Sequence, residues 1–350
     1  MQKLLLSLSI VLCFVHCNTT KSSSEEKVVL PQKDMSSYYE WTHKAELAVV
    51  NQQFEQAAAY YALAQKEQNL FTRDAINGLF AAVEVRDYKL AAQFGQNLLE
   101  KGVPHSYFEK KEGFKGFVGS EEWTDLADVK PGINKHLKAK VDSLALVGAE
   151  FRKDYDFFED TLKIINSKVK IELLDIWKKY GYPNDGLLGV VMENDTTIDL
   201  SLQKFGQLVD RQLRGGSMEF TAVLKESLEK GQLYHRNFAI YAQYLQPFEE
   251  HKLSCFYRMN KLFLQIKNEL YTCCCEVEAE VNVLRAKYFL EPLAERRLKA
   301  EFHYEKDNRF GFGNCSLAYP TASLEMKDKL LEEGYTVYKK LETNKPYHKR

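Results

Sequence analysis

A mainly all-α fold is predicted, with a short α-solenoid segment of helical hairpins leading into a larger helical domain. Three observations predict it. From Tyr38 onward, apolar and small residues recur at three- and four-residue steps, the spacing of one helical face. That pattern repeats after 34 residues. Only 8 Pro and 18 Gly in 350 residues leave room for sustained helices.

The chain opens with one positive charge in Met1-Gln2-Lys3, then an apolar run from Leu4 to Val15 broken by Ser7 and Ser9. That run is too short for a membrane span, which needs about 20 residues, and fits the apolar core of a secretory signal. Cys17, followed by Asn-Thr-Thr-Lys-Ser-Ser-Ser-Glu-Glu, resembles the end of a bacterial lipoprotein signal peptide. The resemblance implies that residues 1–17 are the signal, that Cys17 is acylated and becomes the new N-terminus, and that residues 18–37 form a polar tether. The expected location is then the cell envelope of a Gram-negative bacterium, lipid-anchored. The alternative is ordinary cleavage near Val15-His16-Cys17 and a soluble periplasmic product. Cys13 lies inside the apolar run and leaves with it.

Trp41, Ala45, Ala48, Phe54, Ala57, Tyr61 and Ala64 recur 34 residues later as Ala75, Leu79, Ala82, Tyr88, Ala91, Gly95 and Leu98. Small residues return at small positions and an aromatic returns at each turn. This register is similar to the tetratricopeptide repeat, with Asn51-Gln-Gln-Phe-Glu-Gln-Ala57 and Val85-Arg-Asp-Tyr-Lys-Leu-Ala91 as turn and second-helix start. Two repeats span residues 38–104, fewer than the three or so that usually stand alone, so they are expected to pack on the C-terminal remainder of the chain. Gly95 replaces the usual aromatic, and Lys44 stands where an apolar residue is usual.

Gly102-Val-Pro104 closes the last repeat helix. Residues 105–136 form an aromatic-rich connector in which Phe108, Phe114, Phe117 and Trp123 are expected to plug the end of the repeat stack, with Ser120 capping a short helix. A helical domain of unknown function is placed at 137–342, before a polar tail at 343–350. Long helices are expected from Asn134 to about Tyr180, stopped by Gly181 and Pro183, and further helices over Ile198–Arg214, Met218–Lys230 and Asn237–Leu245.

Within this domain, Glu150-Phe-Arg-Lys-Asp-Tyr155, then Lys179-Tyr-Gly-Tyr-Pro183 before Leu187-Leu-Gly-Val-Val191, and the closing Arg309-Phe-Gly-Phe-Gly313 with Tyr319, resemble an uncharacterised helical domain. That domain occurs in exported proteins of Bacteroidetes-type bacteria, often behind short tetratricopeptide-like segments. The resemblance spans roughly Lys138 to Lys340. Asp210-Arg211 lies where the family carries a histidine. The family brings no established activity, so the resemblance informs the fold rather than the chemistry.

Lys+Arg 48 against Asp+Glu 49 leaves a formal charge of −1, without the basic surplus of a nucleic-acid binder. Arg296-Arg297 reads as part of a solvated helix face. Tyr271-Thr-Cys-Cys-Cys-Glu276 cannot converge three thiols on one ion, and His251 with Cys255 lacks a second paired spacing, so no metal site or cofactor is expected. Pairing of Cys255, Cys273, Cys274, Cys275 and Cys315 after export is left open. No nucleophile elbow, metalloprotease helix or phosphate loop is present, and no catalytic residue is assigned.

The sequence therefore favours a non-enzymatic envelope lipoprotein that binds a protein or peptide. Repeat modules bind through their concave face, which directs attention to the polar first-helix positions His43, Asn51, Asp74 and Asn77. The alternative is an envelope enzyme with its site near Arg152, Asp154, Tyr182 and Arg309. Convergence of those four in one pocket is the observation that separates the two.

Overall fold

Four helices in two antiparallel hairpins open the part of the chain that the computed structural model describes: residues 34–154, 156–242, 244–245, 263–266, 269–273, 278–305, 309–312, 316–319, 324–332 and 335–340. Cys17 and the whole leader lie outside these residues, as do His251, Cys255, Cys274, Cys275 and Cys315. The hairpin helices are α1 (Ser36–Val50), α2 (Phe54–Glu67), α3 (Thr72–Glu84) and α4 (Tyr88–Glu100).

The 34-residue period is geometric as well as sequential. Gln52 and Arg86 occupy the same place in the two turns and both adopt left-handed φ, 59° and 57°. In each turn the residue donates back to the third residue before it, Gln52 to Val49 and Arg86 to Val83. The next residue closes the helix end, Gln53 donating to Ala48 and Asp87 to Ala82. Left-handed backbone at a non-glycine costs about 1 kcal/mol or more, so its recurrence in register marks a repeated unit. Ala45, Ala48, Ala57, Ala82 and Ala91 are all buried, and small side chains permit close approach of the helices.

Next in the chain are three short helices: α5 (His105–Glu109), α6 (Lys115–Val118) and α7 (Glu121–Thr124), the last capped by Ser120 Oγ, which accepts from Trp123 N–H at 3.4 Å. Phe108, Phe114, Phe117 and Trp123 share the core of the four repeat helices. They explain Gly95: a Cβ there would stand 3.3 Å from Leu126 Cδ1 and 3.6 Å from Phe117 Cζ. The volume an aromatic of α4 would fill is supplied by the connector.

The larger domain begins with α8 (Lys135–Leu146), capped by Asn134, whose Oδ1 accepts from Leu137 N–H. A break at Gly148 and a single 3₁₀ turn over Phe151–Asp154 precede α9 (Glu159–Tyr180). Gly181 ends α9 with φ 71°, and its missing side chain admits the Gln232 amide, which a Cβ would meet at 2.5 Å. Then come α10 (Asp185–Leu188) and a two-stranded hairpin of β1 (Val191–Asn194) and β2 (Thr197–Asp199). This corrects the expected helix from Ile198. Asn194 Oδ1 accepts from Thr196 N–H and Asp199 Oδ1 from Ser201 N–H, two side-chain turns that compete with helix, and α11 starts only at Lys204 (Lys204–Arg214).

Among the described residues, helices α12 (Phe220–Glu229), α13 (His235–Ala242), α14 (Glu278–Lys287), α15 (Leu293–Glu305) and α16 (Leu324–Glu332) follow. The fold is mostly helical. It also holds a four-stranded sheet, in the order β5-β3-β4-β6, made of β3 (Phe263–Ile266), β4 (Glu269–Cys273), β5 (Ser316–Tyr319) and β6 (Tyr335–Lys340). β3 pairs antiparallel with β4 and parallel with β5, and β4 pairs antiparallel with β6.

Two apolar cores result. Ile198, Tyr234, Phe302, Phe310 and Phe312, all from the larger domain, join the core of the repeat helices. A second core holds Leu137, Leu173, Trp177, Phe205, Phe220 and Phe238. Phe289 packs against both. The seam between them is where the polar site forms. A Gly95→Phe variant, which restores the repeat's usual aromatic, is expected to lose about 1–3 kcal/mol in urea unfolding, because the site is already full; an unchanged or higher midpoint would contradict the packing.

Candidate functional site

Charged side chains are buried along this seam. Glu46 lies on the inner face of α1 beside Ala45, Ala48 and Val49, and it is 1 % exposed. Arg236, in the first turn of α13, reaches it through Nη2, 2.8 Å from each carboxylate oxygen. Lys299 of α15 donates to Oε2 at 2.6 Å. Burial alone would raise the Glu46 carboxyl; Arg236 and Lys299 outweigh it and hold the group below its ordinary range.

Glu291, in the link between α14 and α15, forms the second anionic centre. Arg236 Nη2 and Arg296 Nη1 each stand 3.5 Å from its Oε1, and Arg285 Nη2 stands 3.7 Å from its Oε2. Arg285 Nε also donates to the Glu291 carbonyl at 2.7 Å. Arg236 and Arg296 both donate to the Phe312 carbonyl. Arg296 is 1 % exposed, which corrects its reading as a solvated residue; its neighbour Arg297 instead pairs with Glu278.

His43 and His235 border this network. His43 Nε2 is 4.0 Å from Glu291 Oε2, and the two imidazoles meet edge-on with centroids 5.6 Å apart. Burial first, then the Lys299 charge, lowers His43 to about 4, and burial with Arg236 holds His235 well below its ordinary value. Both rings are neutral at neutral pH.

A strip of backbone, Phe310-Gly311-Phe312, lies along the inner face of the repeat hairpins. Asn77 Oδ1 accepts from Gly311 N–H at 2.7 Å, and Arg73 Nη1 donates to Gly311 O at 3.2 Å. Phe310 stacks on Phe54 with centroids 5.7 Å apart and planes 5° from parallel. Beside the strip opens a cleft of about 70 Å³ lined by Thr72, Arg73, Asn184, Asp185, Gln203 and Asn237, among others. Asp185 Oδ2 accepts from Thr72 N–H at 2.9 Å, and Lys101 Nζ is 3.8 Å from that oxygen. Gln203 Oε1 is buried here without a hydrogen bond.

The four polar residues expected to face a partner are distributed unequally. Asn51 is exposed at the α1–α2 turn. His43 lies at the rim of the ionic network. Asn77 holds the chain's own strip, and Asp74 accepts from Tyr38 and, at 3.4 Å, from Tyr234, both buried. The open polar face expected of the first helices is therefore largely occupied by the chain itself.

The residues of the enzymatic alternative do not converge. Arg152 donates to Val147 O at 2.7 Å and Asn166 at 3.1 Å, Asp154 is exposed, Tyr182 bonds Tyr241 at 2.9 Å, and Arg309 pairs with Glu84. Glu46, Arg236, Glu291 and Lys299 carry no sequence motif. The one visible signal is a carboxylate amid the alanines of α1. Comparison with known families, with characterised proteins and with solved structures finds no match.

Asp74 is fully buried, and burial followed by the nearby Glu46 charge raises it to about 6. A carboxyl raised in the fold contributes stability while protonated and loses it as pH rises through the folded value. Asp74→Asn keeps an acceptor for Tyr38 and cannot ionise. Its stability relative to wild type is expected to rise by about 2 kcal/mol in urea unfolding between pH 4 and 7.5; a difference that stays flat with pH would show that Asp74 is not perturbed.

Proposed function

We propose that the protein is an exported, lipid-anchored cell-envelope protein of a Bacteroidetes-type bacterium that binds a protein or peptide partner through its tetratricopeptide-like hairpins. The observation that carries this reading is the docked strip. Asn77 and Arg73 bond the N–H and C=O of Gly311, backbone groups that any extended peptide presents. Among the described residues Gln203 Oε1, at the wall of the adjoining cleft, has no hydrogen bond, so an acceptor remains there for a second segment. The adjoining cleft, with Thr72, Asn184 and Gln203 at its wall, is the place a partner segment enters.

The leader supplies the location. Cys17, at the end of an apolar run and before a serine-rich tether, is the lipid-bearing residue of this reading. Intact mass spectrometry of the membrane fraction is expected to show a chain beginning at Cys17 with added acyl mass, absent from Cys17→Ser; an unmodified mature chain refutes the anchor.

A photo-crosslinking side chain at Asn184 is expected to give one discrete adduct in intact cells. A Ser201→Trp substitution, which fills the cleft from an exposed position, should abolish it. The same probe at exposed Lys163, away from the cleft, should give none. Adducts indifferent to Ser201→Trp would overturn the assignment of the cleft.

A further inference from the structure

Among the described residues, ligand atoms of three side chains have no hydrogen bond at the edge of the ionic network. His235 is 1 % exposed, and neither of its ring nitrogens has a hydrogen-bond partner. His43 Nε2 and Glu291 Oε2 are likewise buried without a hydrogen bond. Buried polar atoms are nearly always bonded, so orphans from three residues at one point call for an occupant. One ligand atom from each residue lies within 4.8 Å of the other two.

We propose that His43, His235 and Glu291 bind a divalent first-row metal ion of the zinc class, leaving a fourth position for an exogenous ligand. Two imidazoles and one carboxylate are the donor set of three-ligand zinc sites, with bonds of about 2.0–2.2 Å. Ligand atoms around such an ion stand a little over 3 Å apart. The 4.0 Å between His43 Nε2 and Glu291 Oε2, and the 4.8 Å that bounds all three ligand atoms, must shorten to that value on binding. The residues come from α1, α13 and the α14–α15 link, so the ion would join the repeat hairpins to the larger domain.

Arg236, Arg285, Arg296 and Lys299 oppose a cation, which limits affinity. Much of their donor capacity is directed elsewhere: Arg236 and Lys299 hold Glu46, and Arg236 and Arg296 hold the Phe312 carbonyl. Arg285 is the direct competitor, 3.7 Å from the Glu291 Oε2 that the ion would take.

The test is zinc titration of the full-length purified protein, stripped with chelator and with its cysteines alkylated so that the Cys273–Cys275 run cannot compete. Wild type is expected to bind one equivalent of Zn²⁺, to rise in melting temperature with it, and to give a visible d–d spectrum with Co²⁺. His43→Gln, His235→Gln and Glu291→Gln should each weaken binding at least ~10-fold. His43 is the variant least exposed to a folding defect, its side chain being 19 % accessible, and circular dichroism establishes that each variant is folded. No stoichiometric binding by wild type overturns the site, as does binding that survives unchanged in the folded His43→Gln protein.

Discussion

The contact on which the rest of the structure depends is the pair that Arg236 makes with Glu46, completed by Lys299. Removing two charges from water costs several kcal/mol per ion, and only good geometry with full hydrogen bonding recovers it. Here both carboxylate oxygens face one guanidinium nitrogen at 2.8 Å, and the ammonium takes Oε2 at 2.6 Å. Loss of Glu46 leaves Lys299 and Arg236 buried without the carboxylate between them, a penalty of about 3–5 kcal/mol. The arrangement selects one docking geometry rather than adding much net stability. Apolar packing between hairpins and domain tolerates small slides, whereas these charges do not.

From that anchor the other features are placed in turn. Arg236 also holds the Phe312 carbonyl, which fixes the aromatic strip against the hairpins. The residue before it, His235, is thereby turned toward His43 and Glu291. Tyr234, one residue earlier still, reaches Asp74 and lines the cleft. Three consecutive residues, Tyr234 just before the helix and His235 and Arg236 in its first turn, thus serve three different sites.

The hairpins are legible in the sequence because their signal is local: residues 34 apart share a role, and Gln52 and Arg86 share even their unusual φ. The Ser120 and Asn134 caps are local too, although only Ser120 is read as a cap from its sequence. The four-stranded sheet is not legible, since runs as short as Phe263–Ile266 carry no periodicity that separates strand from helix. The buried charges escape for a different reason. Charged residues on helices usually face water, and nothing in Arg296-Arg297 says that the first turns inward and the second meets Glu278. Glu46 is the exception in kind, a carboxylate on an apolar stripe, yet its partners stand 190 and 253 positions further on.

Those separations have a consequence for how the chain matures. Helical hairpins form from near neighbours and are fast, whereas contacts across two hundred residues must await synthesis and loop closure. Glu46 belongs to the first described helix and Lys299 to one of the last. Until Arg236 is made, Glu46 has neither of its buried partners, and until Lys299 is made it has one. A chain interrupted before Lys299 lacks both the ammonium on Glu46 and the later aromatics, Phe302, Phe310 and Phe312, that close the core of the hairpins.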